Sequence, residues 1–174
     1  MRGWEIITRI PFTPRRAIEE FHTSLADRTN AASILVFCLL ATLIFSLFPT
    51  HLAWTQYRSG SFLVGWSIVV AASFINLFLY VLFVDMTADV RLRRKLIFKG
   101  LLSAAAISGI FSLLVAVVFE AGLLGLGRRA VSAVLVALIA WQGFVEANNI
   151  RRLYGTAPPM AVAIEVVARM GSAA

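Results

Sequence analysis

The side chains best suited to chemistry are four polar residues that interrupt apolar stretches of the chain. Asn76 lies inside one such stretch, and Gln142, Glu146 and Asn149 lie near the end of another. The last three recur at i, i+4 and i+7, which places them on one face of a helix. Amide and carboxyl groups are costly in an apolar medium, so this polar face is the best candidate for an internal site, with Glu146 as the group that could exchange a proton.

The same polar face has a structural interpretation. Asn76 precedes Asp85, and Gln142 precedes Arg151, by the same number of residues, which predicts a similar depth for the two amides. Polar side chains at such positions often join neighbouring helices by hydrogen bonds. Glu146 would then pair with Arg151 or Arg152, about one helical turn further on. We expect this structural role, and the site role stays open as the alternative.

A second place with chemical capacity is the pair Asp85 and Asp89, which could hold magnesium against a lipid-linked pyrophosphate. No further acidic residue accompanies the pair.

The two histidines, His22 and His51, lie outside the apolar stretches, and Cys38 is the single cysteine. Haem, zinc and iron–sulfur sites need ligands that this set does not supply. We therefore expect no metal, no cofactor and no enzymatic activity.

These residues must be positioned by elements suited to a membrane. The chain has 174 residues, of which 60% are hydrophobic and 14% charged, and its mean hydropathy is +0.85. This composition excludes a water-soluble enzyme. The predicted fold class is all-α, a polytopic membrane protein in which amphipathic interfacial helices precede a bundle of four transmembrane helices. The excess of basic residues is then a topology signal, and no nucleic-acid partner is expected.

Four stretches meet the requirement of roughly 20 apolar residues for crossing a bilayer. They are residues 31–48, 61–84, 96–121 and 130–150. The third stretch is longer than a bilayer requires. It could tilt, or its glycines at 122, 125 and 127 could break it into a helix and a short turn.

The basic residues predict the orientation of these spans. All but three of the 16 Lys and Arg lie before the first span, between the second and third, at the near edge of the third (Lys99), or after the fourth. Only Arg58, Arg128 and Arg129 lie on the other side. Loops rich in Lys and Arg stay in the cytoplasm, so we expect both termini to be cytoplasmic and the membrane to be the bacterial inner membrane.

Residues 1–30 form the predicted cytoplasmic interfacial segment, with two short amphipathic helices. This segment could contact a membrane partner or anionic lipid, or it could merely seal the edge of the bundle. The candidate contact residues are Trp4, Arg15, Arg16 and Phe21.

Two further segments leave alternatives open. Residues 151–174 form the predicted cytoplasmic tail, which is too short to span and could be a surface helix, a partner-binding tail or disordered. In the third span Ala104, Ser108 and Ser112 recur every four residues, a spacing that allows close helix approach. That approach is either packing within the chain or the seam of a homo-oligomer.

The basic lead-in PFTPRRAIEEF at residues 11–21 and the passage WQGFVEANNIRR at residues 141–152 together resemble the small bacterial members of the Yip family, the Ypt-interacting membrane proteins. Family members usually have five spans, whereas four are predicted here. The resemblance implies a non-enzymatic helper in membrane organisation and assigns no functional residue.

Three functions follow from these patterns. The first is a non-catalytic scaffold or accessory subunit that has the lipid bilayer and other membrane proteins as its partners. The second is a small oligomeric transporter or channel that uses Asn76, Gln142 and Glu146. The third is a lipid-modifying enzyme that uses Asp85 and Asp89. The scarcity of internal chemistry favours the first.

Overall fold

The computed structural model describes residues 2–24, 28–48, 61–88, 94–123, 125 and 127–173. These residues form seven α-helices and no strand. The helices are α1 (Arg2–Arg9), α2 (Pro14–Ser24), α3 (Arg28–Leu47), α4 (Phe62–Thr87), α5 (Arg94–Leu123), α6 (Arg128–Tyr154) and α7 (Pro158–Ala173).

Three helices are long and apolar enough to cross a membrane. They are Phe62–Thr87, Ile97–Gly122 and Arg128–Tyr154. They correspond to the second, third and fourth predicted spans, so the prediction of an all-helical chain with helices able to span a membrane is confirmed for these three. The first predicted span falls on α3, whose apolar part, Ala31–Leu47, is shorter.

Glycine sets the ends of two of the long helices. Gly125 follows α5 and has a φ of 111°, a left-handed value that favours glycine because it has no Cβ. Gly127 is the N-cap of α6. Of the two alternatives for the long third stretch, the structure therefore has the helix followed by a turn. Gly155, with a φ of 67°, ends α6 and donates its N–H to the carbonyl of Arg151.

The N-terminal helices pack on the bundle through their apolar faces. Ile7 of α1, Ile10 directly after α1, and Ile18 and Phe21 of α2 are buried in one core with residues of α3, α5 and α6. Trp4 meets the ring of Phe37 edge-on at 5.7 Å. The amphipathic pattern of this segment is thus satisfied by protein contacts.

The C-terminal segment forms a hairpin with α6. Residues 155–157 connect the two helices, and α7 packs on α4 and α6 through Ala161, Ile164 and Ala168. These side chains meet Tyr80 of α4 and Ile150 of α6 in a second core. Small residues on this face of α7 allow the close approach.

The long helices α4 and α6 are packed mainly at their C-terminal ends. Past Gly65, the buried residues of α4 begin only at Tyr80, and the buried residues of α6 begin only at Gln142. In the apolar windows of α4 and α6, 17% and 22% of the residues are buried, against 44% for α5. The central helix is therefore α5, and the N-terminal halves of α4 and α6 are exposed on the outside of the bundle.

Candidate functional site

Three of the four predicted polar residues lie on one buried face of α6. Gln142, Glu146 and Asn149 are 5%, 1% and 3% exposed. Asn76 of α4 is exposed and lines the same cavity as Gln142. The structure therefore brings Asn76 and Gln142 to one space, whereas Glu146 and Asn149 lie deeper among other helices.

Asn149 joins three helices through its amide. Its Nδ2 donates to Ser103 Oγ of α5 at 3.0 Å and lies 3.5 Å from Glu146 Oε2. Its Oδ1 lies 3.0 Å from His22 Nε2 of α2. Because the amide nitrogen already faces two acceptors, Oδ1 accepts and His22 Nε2 donates. This one side chain holds α2 and α5 to α6.

A second polar group connects α7 to α4. Tyr80 donates its hydroxyl proton to Glu165, which also pairs with Arg169 one turn along α7. The guanidinium carbon of Arg169 lies 5.7 Å from the centroid of the Tyr80 ring. Glu146 is buried beside this group and interacts electrostatically with Tyr80, Glu165 and Arg169. Glu146, Tyr80, Glu165 and Arg169 thus form one continuous group, which we call the carboxyl cluster.

The charges of the carboxyl cluster are unequal, since two carboxyl groups face one guanidinium. Burial acts to lower the pKa of Arg169, but the charge and hydrogen bond of Glu165 outweigh it and raise the pKa above its usual value. Arg169 is therefore always a cation. The single guanidinium group can balance the charge of only one of the two carboxyl groups.

His22 supplies the polar contact from the N-terminal segment. Burial lowers its pKa from the ordinary value of 6.5, and the charges of Lys99 and Arg152 lower it further, against the opposing hydrogen bond with Asn149. His22 is therefore neutral at pH 7, in agreement with its role as a donor through Nε2. Its Nδ1 is buried and has no hydrogen-bond partner among the described residues.

A cavity of about 420 Å³ lies between α3, α4 and α5. Gln142 and Arg169 reach it from α6 and α7. Its polar lining residues are Thr42, Ser73, Asn76, Ser108 and Ser112. Gly109 of α5, next to Ser108 in sequence, packs within the chain, because a Cβ there would lie 3.2 Å from the ring of Phe37.

Other predicted pairings take different partners in the structure. Glu146 was expected to reach Arg151 or Arg152, but it points inward to the carboxyl cluster, and Arg152 pairs with Glu19 of α2. Asp85 is buried and accepts a hydrogen bond from Tyr154. Its predicted companion Asp89 lies outside the described residues. Within the described ranges, no group of three or more His, Cys, Asp or Glu could hold a metal ion.

The N-terminal candidates have unequal access to a partner. Phe21 is buried in the core, whereas Trp4, Arg15 and Arg16 are exposed. Arg16 pairs with Glu20 at 3.2 Å, and the Arg15 guanidinium lies 5.9 Å from the centroid of the Phe144 ring. Arg15 therefore marks the place where α2 meets the surface of α6.

Sequence reasoning missed His22, Tyr80 and Ser103 as parts of the polar interior. A tyrosine inside an apolar stretch is one usable signal, since a buried hydroxyl requires a partner. The histidine and serine carried no comparable signal.

The fold and the site define an all-helical protein with three helices able to span a membrane, which is the class of integral membrane proteins. Comparison of the chain with protein-family models, with curated proteins and with solved structures finds no match. The resemblance to the Yip family stays a prediction.

Proposed function

We propose that this chain is a non-catalytic integral membrane protein that serves as a scaffold or accessory subunit of a larger membrane assembly. The observation that carries the proposal is that α4 and α6 are buried mainly at their C-terminal ends. Along α4, Gly65 is the one buried residue before Tyr80. The exposed half offers a long apolar surface on which helices of another membrane protein can pack.

The polar interior supports the same proposal. Asn149 holds α2 and α5 to α6, and Glu165 holds α7 to α4. Asp85 and Tyr154 join the ends of α4 and α6 in the same way. These groups are used to fasten helices together, which leaves the outer apolar faces as the part of the molecule that is open to partners.

The proposed topology has four spans and cytoplasmic termini in a bacterial inner membrane. The 20-residue helix α3 would be about 30 Å long, enough to cross the hydrocarbon core. The helices α1 and α2 then lie at the cytoplasmic interface. The clustering of Lys and Arg at this end of the spans supports the orientation.

The experiment is extraction of tagged chain from native membranes in mild detergent, followed by identification of co-purifying membrane proteins. Ile75 of α4 is 62% exposed, and Ile75→Trp should lower the recovery of a stoichiometric partner at least fivefold. Val117→Trp is the matched control, because Val117 is 55% exposed on the apolar part of α5. Both variants should be extracted from the membrane in the same yield as the wild type, which shows that the fold is kept. Absence of any stoichiometric partner, or equal loss in both variants, contradicts the proposal.

The cavity favours a second candidate, a small oligomeric transporter or channel. Gln142 and Arg169 contribute polar groups to it, and Glu146 belongs to the carboxyl cluster, which contains Arg169. In proteoliposomes, Glu146→Ala should then abolish solute or proton flux while the fold is kept. Asn148→Ala is the control, since the Asn148 amide bonds to its own helix at the carbonyl of Phe144. Equal flux in the two variants excludes this candidate.

A further inference from the structure

A groove of about 460 Å³ runs along the outside of the hairpin formed by α6 and α7. Its walls are mostly apolar and small, and they include Ala140, Gly143 and Ala147 of α6 and Ala161, Val162 and Val166 of α7. A Cβ at Gly143 would meet no atom within 4 Å, so the groove is open at this point. The groove therefore stays open because the side chains along it are too short to fill it.

Two arginines line the groove, Arg15 from α2 and Arg151 from the last turn of α6. Each has an arginine next to it in sequence, and those neighbours are ion-paired. Arg16 pairs with Glu20, and Arg152 pairs with Glu19.

Within the described part of the chain, neither Arg15 nor Arg151 has a carboxylate within 4.0 Å. The Arg15 guanidinium instead lies over the ring of Phe144. The groove therefore carries two positive charges that no described side chain balances.

One acidic residue, Glu165, also lines the groove. It is 3% exposed, and its oxygens are engaged by Tyr80 and Arg169 of the carboxyl cluster. Its charge is thus already balanced on the inner side. The lining of the groove keeps a positive potential at Arg15 and Arg151.

We propose that this groove binds an anionic glycerophospholipid, with the headgroup phosphate held by Arg15 and Arg151 and an acyl chain lying between α6 and α7. Guanidinium groups bind phosphate oxygens by paired, charge-assisted hydrogen bonds. The apolar walls match a hydrocarbon chain, and a basic pocket at the end of a spanning helix is a suitable place for a lipid headgroup. The site is independent of the proposed accessory role.

The test uses the full chain in detergent and native mass spectrometry, with phosphatidylglycerol and phosphatidylcholine of identical acyl chains as the probes. The wild type should retain phosphatidylglycerol at least tenfold better than phosphatidylcholine. The double variant Arg15→Gln, Arg151→Gln should lose this preference. The double variant Arg16→Gln, Arg152→Gln has the same net charge and should keep it.

A third variant tests the acyl-chain part of the site without a change of charge. Gly143→Leu projects a side chain into the open groove and should lower phosphatidylglycerol retention at least fivefold, while Gly143→Ala should have little effect. Equal retention of the two lipids by the wild type, equal loss in the two double variants, or full retention in Gly143→Leu overturns the proposal. If the first double variant does not fold, Gly143→Leu and the two lipids still decide the outcome.

Discussion

At the scale of single residues, the sequence predicted the helix face on which Asn149 lies but not the residues that it contacts. The helical spacing of Gln142, Glu146 and Asn149 predicted a shared face, and all three are buried. Their partners could not be predicted, because His22 is 127 positions from Asn149 in sequence and Ser103 is 46 positions away. Periodicity describes one helix, whereas these contacts depend on how separate helices pack.

The first prediction concerns the hydroxyl of Tyr80. Tyr80→Phe leaves the buried carboxylate of Glu165 without one donor, so we expect a loss of roughly 1 to 3 kcal/mol in the free energy of unfolding. The measurement is unfolding in detergent micelles. Ser67→Ala on the same helix is the control, since the Ser67 hydroxyl bonds to the carbonyl of Leu63 in its own helix. Equal stability of the two variants would refute a fastening role for Tyr80.

The second prediction concerns pH. Because the pKa of His22 is lowered on folding, the unfolded chain binds a proton more readily than the folded chain. Above pH 6.5, the pKa of His22 in the unfolded chain, neutral His22 makes its full contribution to the free energy of unfolding. That contribution is lost as the pH falls from 6.5 through the lower pKa that His22 has in the folded chain. His22→Gln keeps a donor for Asn149 but does not titrate. The unfolding midpoint should therefore fall more steeply below pH 6.5 in the wild type than in His22→Gln, and parallel curves would contradict the assignment.

At the scale of elements, long helices followed from the sequence and the role of α7 did not. Apolar length predicted α4, α5 and α6, and the glycines offered a turn after α5 as one of two alternatives. Residues 158–173 are too few to span and were compatible with several states. Their place is fixed by Ala161, Ile164 and Ala168, which share a buried core with Tyr80 of α4 and Ile150 of α6, and such contacts between separate helices leave no pattern in the sequence of α7 alone.

The third prediction tests the docking of α7. A Cβ at Gly171 would lie 2.9 Å from the ring of Phe83, so Gly171→Leu must displace either that ring or the end of α7 and loosens the contact between α7 and α4. Overpacking of this kind costs about 1 kcal/mol or more. We expect faster proteolytic cleavage within α7. Gly143→Ala, for which the structure offers open space, should be cleaved at the wild-type rate, and equal cleavage of both would contradict the packing of α7 on Phe83.

At the scale of the whole molecule, the described residues form a bundle that is fastened at one end. The polar contacts of α2, α4, α5, α6 and α7 lie where the C-terminal ends of α4 and α6 meet. The opposite halves of α4 and α6 expose apolar side chains such as Ile68, Ile75, Val136 and Ile139. Composition predicted the membrane class, but it could not predict this uneven packing, because apolar residues run through both halves of α4 and a composition does not say which of them another helix covers.

The mass of the intact particle extracted from native membranes in mild detergent tests the accessory role most directly. We predict a mass well above that of the 19.1 kDa chain and its bound lipid, with a different membrane protein present in a fixed ratio. A particle that contains only this chain, as a monomer or a homo-oligomer, would contradict the account and favour the transporter or channel.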